Sequence, residues 1–140
     1  MASLSKKTKL FVAERALSCC EYCLSQQNYS PDYFTVEHVI PKVKKGSNTV
    51  ENLAFACSGC NGHKYTHTKA IDPISGLYAP LYNPRKDTWD KHFKWDLAFS
   101  IITGITPTGR ATVEKLRLNR ISVVNLRLVL AQVGVHPPLL

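Results

Sequence analysis

The chain lacks any uninterrupted apolar run near the ~20 residues that a membrane span requires. Charges also break up the apolar part of its first stretch, "MASLSKKTKLFVAERAL", so neither a membrane protein nor an evident signal peptide is expected. There is no internal repeat and no low-complexity tract, which sets aside solenoids and linkers. Acid is scarce: 10 Asp and Glu stand against 18 Lys and Arg, giving a net charge of +8 and a pI near 9.4. That balance points to a polyanionic partner, because Lys and Arg release condensed counterions when they meet phosphates. The surplus is uneven, with +1 over residues 1–36, +3 over 37–69 and +4 over 70–140. Hydrophobic residues at 44% argue against a disordered chain. At 140 residues there is room for one modest core, not for a multi-site enzyme.

The chain does have five cysteines, four of them in two Cys-x-x-Cys pairs: Cys20–Cys23 and Cys57–Cys60. Without a secretory context they suit metal in a reducing, cytoplasmic compartment better than disulfides. Each pair has the spacing of a zinc knuckle, and together they supply the four thiolates of a closed tetrahedral Zn²⁺ site. The 33 residues between Cys23 and Cys57 exceed the usual ribbon spacing of about 15–20, so the halves must bracket an inserted unit. A closed site has no open coordination position. Any catalysis must therefore come from the bracketed segment.

That segment opens with "YFTVEHVI", β-branched and aromatic, ended by Pro41. A basic loop follows, helical character is expected near Thr49 or Val50, and a further helix after Cys60. Before it, Leu10, Ala13 and Leu17 space as one face of a helix over 8–18. After it, Phe93, Trp95, Leu97, Phe99 and Ile101 alternate, predicting a strand or hairpin with one buried side. "TGITPTGRAT" reads as turn chemistry, and Ile121, Val124, Leu128 and Ala131 mark a C-terminal helix.

Glu37, His38, Asn52, Asn61, His63 and Lys64 cluster in sequence between and just beyond the knuckles. A carboxylate can hold a hard cation, and a neutral histidine can take a proton from water. Against this, strand neighbours such as Glu37 and His38 point to opposite faces. The same residues also read as an exposed polar pair and as helix caps at Asn52 and Asn61. Trp89, Phe93 and Trp95 fit a core better than a base-stacking platform. Arg85, Arg110, Arg117, Arg120 and Arg127 either track a nucleic-acid backbone or solvate the helices.

"CEYC" and "VEHVIPKVKKGSNTVENLAFACSGCNGHK", in that order, closely resemble the HNH endonuclease family in its four-cysteine, zinc-bearing branch. The resemblance covers roughly residues 14–69. It implies an α+β fold with a small ββα-metal core stapled by the four-cysteine zinc site, followed by a C-terminal β-hairpin and helix extension. The division expected is a flexible tail over 1–7, an HNH domain over 8–69, and an extension over 70–140 packing on the core. The resemblance further implies His38 as general base and Asn52 as the residue that orients it. Glu37 and Asn61 would be ligands of a catalytic Mg²⁺ or Mn²⁺, with His63 as an alternative ligand. Lys42, Lys44, Lys45 and Lys64 would contact phosphates. The expected function is metal-dependent hydrolysis of phosphodiesters in DNA by a monomer or weak dimer, with RNA left open as substrate. The rival readings are a non-catalytic zinc-knuckle module that binds nucleic acid, and a module that meets an acidic protein.

Overall fold

The computed structural model describes residues 3–140. It is α+β, built on short antiparallel hairpins and short helices. The first helix, α1 (Lys6–Arg15), starts where Ser5 accepts from the Thr8 N–H at 3.1 Å, as an N-cap serine should. Its inward stripe differs from the expected one: Leu10 and Leu17 are exposed, and Val12 and Ala16 are buried. The helix covers a small cluster with Leu53 and Phe55, and one narrow stripe suffices for that.

The central unit is a hairpin of β1 (Thr35–His38) and β2 (Leu53–Ala56), followed by α2 (Ser58–Lys64). Glu37 pairs with Ala54 and His38 with Leu53. The period of two divides β2 between two clusters: Leu53 and Phe55 face α1, while Ala54 and Ala56 join the cysteines, Tyr22 and Val39. All four residues are buried. That is why β2 escapes sequence reading: "LAFA" has no polar alternation and two helix-favouring alanines. The helical character expected near Val50 is a single 3-10 turn, Val50–Asn52, leading into the strand.

Beyond α2 come a hairpin of β3 (Lys69–Ile71) and β4 (Tyr78–Pro80), a short α3 (Trp89–His92), and a second hairpin of β5 (Phe93–Trp95) and β6 (Ile102–Gly104). Two helices follow, α4 (Pro107–Leu116) and α5 (Ile121–Gln132). The alternation of 93–101 stops early. Asp96 turns the chain by accepting from the N–H groups of Ser100 and Ile101 at 2.7 and 3.1 Å, and Leu97, Phe99 and Ile101 lie exposed. "TGITPTGRAT" contains the start of α4, with Thr106 as N-cap and Pro107 at its first position, a helix start that its turn-like composition concealed. In α5 the buried residues are Arg127 and Leu130, and Ile121 is exposed; apolar residues surround this helix, so spacing alone does not identify its inner face.

Leu81, Tyr82, Phe93, Ile102, Leu116 and Leu118 share one core cluster with the four paired cysteines. Trp89, Phe93 and Trp95 pack on one another at centroid distances of 5.1 and 5.5 Å, and Trp89 Nε1–H donates to the Tyr22 carbonyl at 2.9 Å. These aromatics are core. Most of the arginines are internal ties as well. Arg85 pairs with Glu21, and Arg110 grips Asp72 through two bonds of 2.8 and 2.9 Å. Arg127 donates to the carbonyls of Ser100 and Leu118. Among the five arginines singled out above, only Arg117 is exposed and without a side-chain partner among the described residues.

Candidate active site and metal centre

The first knuckle is a tight turn in which the Leu24 N–H returns to the Cys20 carbonyl at 2.9 Å. Glu21, inside it, is laced to β2: its N–H donates to the Phe55 carbonyl and its carboxylate accepts from the Phe55 N–H, both at 2.8 Å. The second knuckle is itself a helix start. Cys57 is the N-cap of α2, its sulfur accepting from the Cys60 N–H at 3.5 Å.

The Sγ atoms of Cys20, Cys23, Cys57 and Cys60 lie within 4.8 Å of one another and are buried. Cys23 and Cys57 Sγ are 3.7 Å apart, close to the ~3.8 Å edge of a tetrahedron with metal–sulfur bonds of ~2.3 Å. The cluster therefore fits structural zinc. Burial pushes the Cys20 thiol up, while a hydrogen bond from Cys20 pulls Cys23 down. The sulfurs share protons with each other, and a dication would displace those protons. Cys19 stands outside the cluster and donates to the Leu17 carbonyl at 3.4 Å.

Arg120 closes the cluster from the extension. Its guanidinium lies 3.6 Å from Cys57 Sγ and 3.8 Å from Cys60 Sγ while also donating to the carbonyls of Leu116 and Arg117. Burial alone would lower its pKa, but the neighbouring Cys60 and Cys23 sulfurs reverse the sign and raise it. Gly59 permits this approach, since a Cβ there would sit 2.8 Å from the guanidinium carbon. Sequence reading had no signal linking Arg120 to the cysteines, because some 60 residues separate it from Cys60.

Glu37, His38 and Asn61 line one open cleft of about 260 Å³, with Pro41, Lys42 and Tyr65 at its rim. The three come from the end of β1 and from α2, packed across it. His63 is not among the lining residues. Burial, then the charges of Arg117, Arg120 and Lys115, pull its imidazole below the ordinary value.

Lys64 departs furthest from expectation. It is 1% exposed, and its ammonium donates to Glu37 Oε2 at 3.1 Å and to the carbonyls of His38 and Val39 at 3.2 and 2.9 Å. A phosphate could reach it only by displacing these partners. The other oxygen of Glu37 accepts from the Tyr22 hydroxyl, and Tyr22 lies between two of the cluster's cysteines. Glu37 is thus 6% exposed and tied to both the knuckle and α2. Burial still raises its pKa, against the pull of Lys64 and Tyr22. Each oxygen retains a second lone pair. One carboxylate and one amide suit a hard cation that keeps most of its waters, so the donor set fits Mg²⁺ or Mn²⁺ bound weakly.

Asn52 does not touch His38. Its side chain accepts from the Ile40 N–H at 2.9 Å and donates to the carbonyls of Ile40 and Ser47 at 3.0 and 2.9 Å, pinning the loop that follows β1. Gly46 lies against the same loop, where a Cβ would fall 1.6 Å from the Ile40 oxygen. The residue on the histidine is Asn48, with Oδ1 2.8 Å from His38 Nε2. An amide oxygen only accepts, so Nε2 carries the proton in this pairing and Nδ1 keeps the lone pair. "GSN" in the basic loop was the available signal for Asn48.

Residues 20–67 match the family model described as HNH endonuclease. The matched segment contains all four cysteines of the buried cluster, an arrangement compatible with the zinc-bearing branch of that family. Over 115 residues it is 32% identical to a Bacillus thuringiensis protein called Septu protein PtuB, an alignment covering 81% of this chain and 41% of that protein. The chain thus spans about two fifths of the length of this curated relative. No solved structure matches. No helix among the described residues is long and apolar enough to cross a membrane.

Proposed function

We propose that the chain is a metal-dependent endonuclease that hydrolyses phosphodiester bonds in DNA. The observation that carries this reading is the meeting of Glu37, His38 and Asn61 at one open cleft. His38 takes a proton from water as the water oxygen attacks phosphorus. The bond from phosphorus to the leaving oxygen then breaks, and that oxygen takes a proton from solvent. A divalent ion held by Glu37 and Asn61 would offset the charge that develops on the phosphate and leaving oxygen. Asn48 holds the His38 ring in one tautomer, and Asn52 holds the loop behind it. Lys42, Lys44 and Lys45, all exposed, are the phosphate contacts. Zinc at the four cysteines, a cytoplasmic setting, and a monomer or weak dimer whose residues 70–140 form an extension packed on the HNH core belong to the same reading.

The test is incubation of supercoiled plasmid with Mg²⁺ or Mn²⁺. The parent nicks it, and His38→Ala loses on the order of 10²–10⁴-fold in rate with an unchanged melting temperature. A parent that binds DNA and nicks no plasmid under either metal would instead favour the non-catalytic zinc-knuckle module.

A further inference from the structure

The C-terminal turn of α4 lies beside α2: the Arg120 guanidinium donates to the carbonyls of Leu116 and Arg117 while it reaches the sulfurs of Cys57 and Cys60. Two features there go unused by the fold. Arg117 is exposed, its guanidinium has no hydrogen-bond or ion-pair partner among the described residues, and its backbone sits in the left-handed region at φ 51° and ψ 58°. A helix C-cap in that conformation ordinarily takes glycine or asparagine, which reach it at little cost. An arginine kept at such a site, with its charge directed to no internal partner, invites a functional explanation. Lys115, two residues earlier, likewise has no side-chain partner among the described residues, in contrast to the internally tied Arg85, Arg110, Arg120 and Arg127.

These cations do not stand apart from the cleft. α2 packs against α4. α2 carries Asn61, which lines the cleft. Lys44 in turn belongs to the loop whose Lys42 lines the cleft. A basic face therefore runs from Lys42 and Lys44 in the loop, across α2, to Lys115 and Arg117 at the end of α4. It begins in the HNH segment and ends beyond it, where the family model no longer reaches.

We propose that Lys115 and Arg117 form a second phosphate-binding surface, so that duplex DNA entering the cleft is held along the end of α4 as well as by the basic loop. This inference rests on the reading of the cleft as a DNA site. Contacts of this kind position the backbone without reading sequence, so they act on all duplexes alike and through counterion release.

The experiment measures binding of a 30-base-pair duplex to the full, zinc-loaded chain at a series of salt concentrations, in the His38→Ala background to prevent cutting. Adding Lys115→Gln and Arg117→Gln together should lower the slope of log affinity against log salt by about 1.8, about 0.9 for each phosphate no longer neutralised, with equal effect on unrelated duplex sequences. Arg117→Lys should keep the slope. Arg117→Gly separates this role from a structural one. Glycine suits the left-handed C-cap, so its melting temperature should equal or exceed that of the parent while its affinity for DNA falls. An unchanged slope and affinity in the double variant overturns the proposal while leaving the cleft reading in place. A His38→Ala parent that binds no duplex at any salt concentration overturns both.

Discussion

The cysteine cluster and the cleft meet through Tyr22 and share α2, and they are built on opposite principles. The cluster has four soft ligands, all buried, held by one tight turn and one helix start and capped by Arg120. The cleft is open, with one carboxylate, and that carboxylate is already engaged by Tyr22 and Lys64. A closed thiolate site makes metal binding part of folding. An open, oxygen-poor one leaves an ion dependent on waters and substrate phosphate to complete its shell. On the proposed reading, one small core would offer a permanent metal place and an exchangeable one. Glu37 marks the boundary, its backbone on the hairpin and its carboxylate held by both neighbours.

The largest break in this comparison comes from removing a thiolate. Cys57→Ala deletes one zinc ligand and the N-cap of α2, and structural zinc contributes on the order of 10 kcal/mol or more to small domains. The expected outcome is a chain without a cooperative melting transition by circular dichroism and with less than one zinc by elemental analysis. Brief treatment of the parent with a weak chelator should leave zinc content and melting intact while abolishing nicking. Loss of both together would mean that the two places are not distinct.

A middle-sized effect tests the cleft side alone. Asn52→Ala strips partners from the Ile40 N–H, the Ile40 carbonyl and the Ser47 carbonyl. Leaving such half-buried groups unpaired costs about 1 kcal/mol, the low end of the range for buried groups, to be read as a lower melting temperature with zinc retained at the parent's level. Nicking should fall too, because the freed loop carries Asn48 and the lysines.

The two places were also unequally legible in the sequence. The cluster was readable in full, since two Cys-x-x-Cys pairs have few other uses and the ligands follow from identity alone. Strand β1 and the C-terminal helix were readable as elements, whereas β2 was not. What escaped reading was which way side chains turn. Lys64 follows the second knuckle among exposed polar residues and reads as a phosphate contact, yet it is buried because Glu37 and two strand-end carbonyls need a donor. Arg85, Arg110, Arg120 and Arg127 were ambiguous for the same reason. Their partners lie 64, 38, 63 and 27 residues away, and no local pattern records such pairings. Asn48 and Asn52 show the limit within one loop: both are turn residues by composition, and only the folded loop decides which one reaches the histidine.

The smallest effect contrasts two buried acids, Glu37 beneath the cleft and Asp72 in the extension. Burial raises Glu37, whereas the paired bonds from Arg110 outweigh burial at Asp72 and hold its carboxyl well below the usual carboxylate range, helped by the N–H groups of Ile74 and Ser75. A folded-state value below the unfolded one means that Asp72 favours the native state fully above its ordinary pKa of about 3.9. That contribution fades as pH falls through the folded value. Asp72→Asn should therefore melt a few degrees below the parent at pH 7, with the gap constant down to about pH 5 and closing below about pH 4. The zinc cluster would confuse this reading in acid, because protons compete for thiolates, so parent and variant are compared at equal measured zinc content. A gap that stays constant into strong acid would place the role of Asp72 in the shape of its turn, not in its charge.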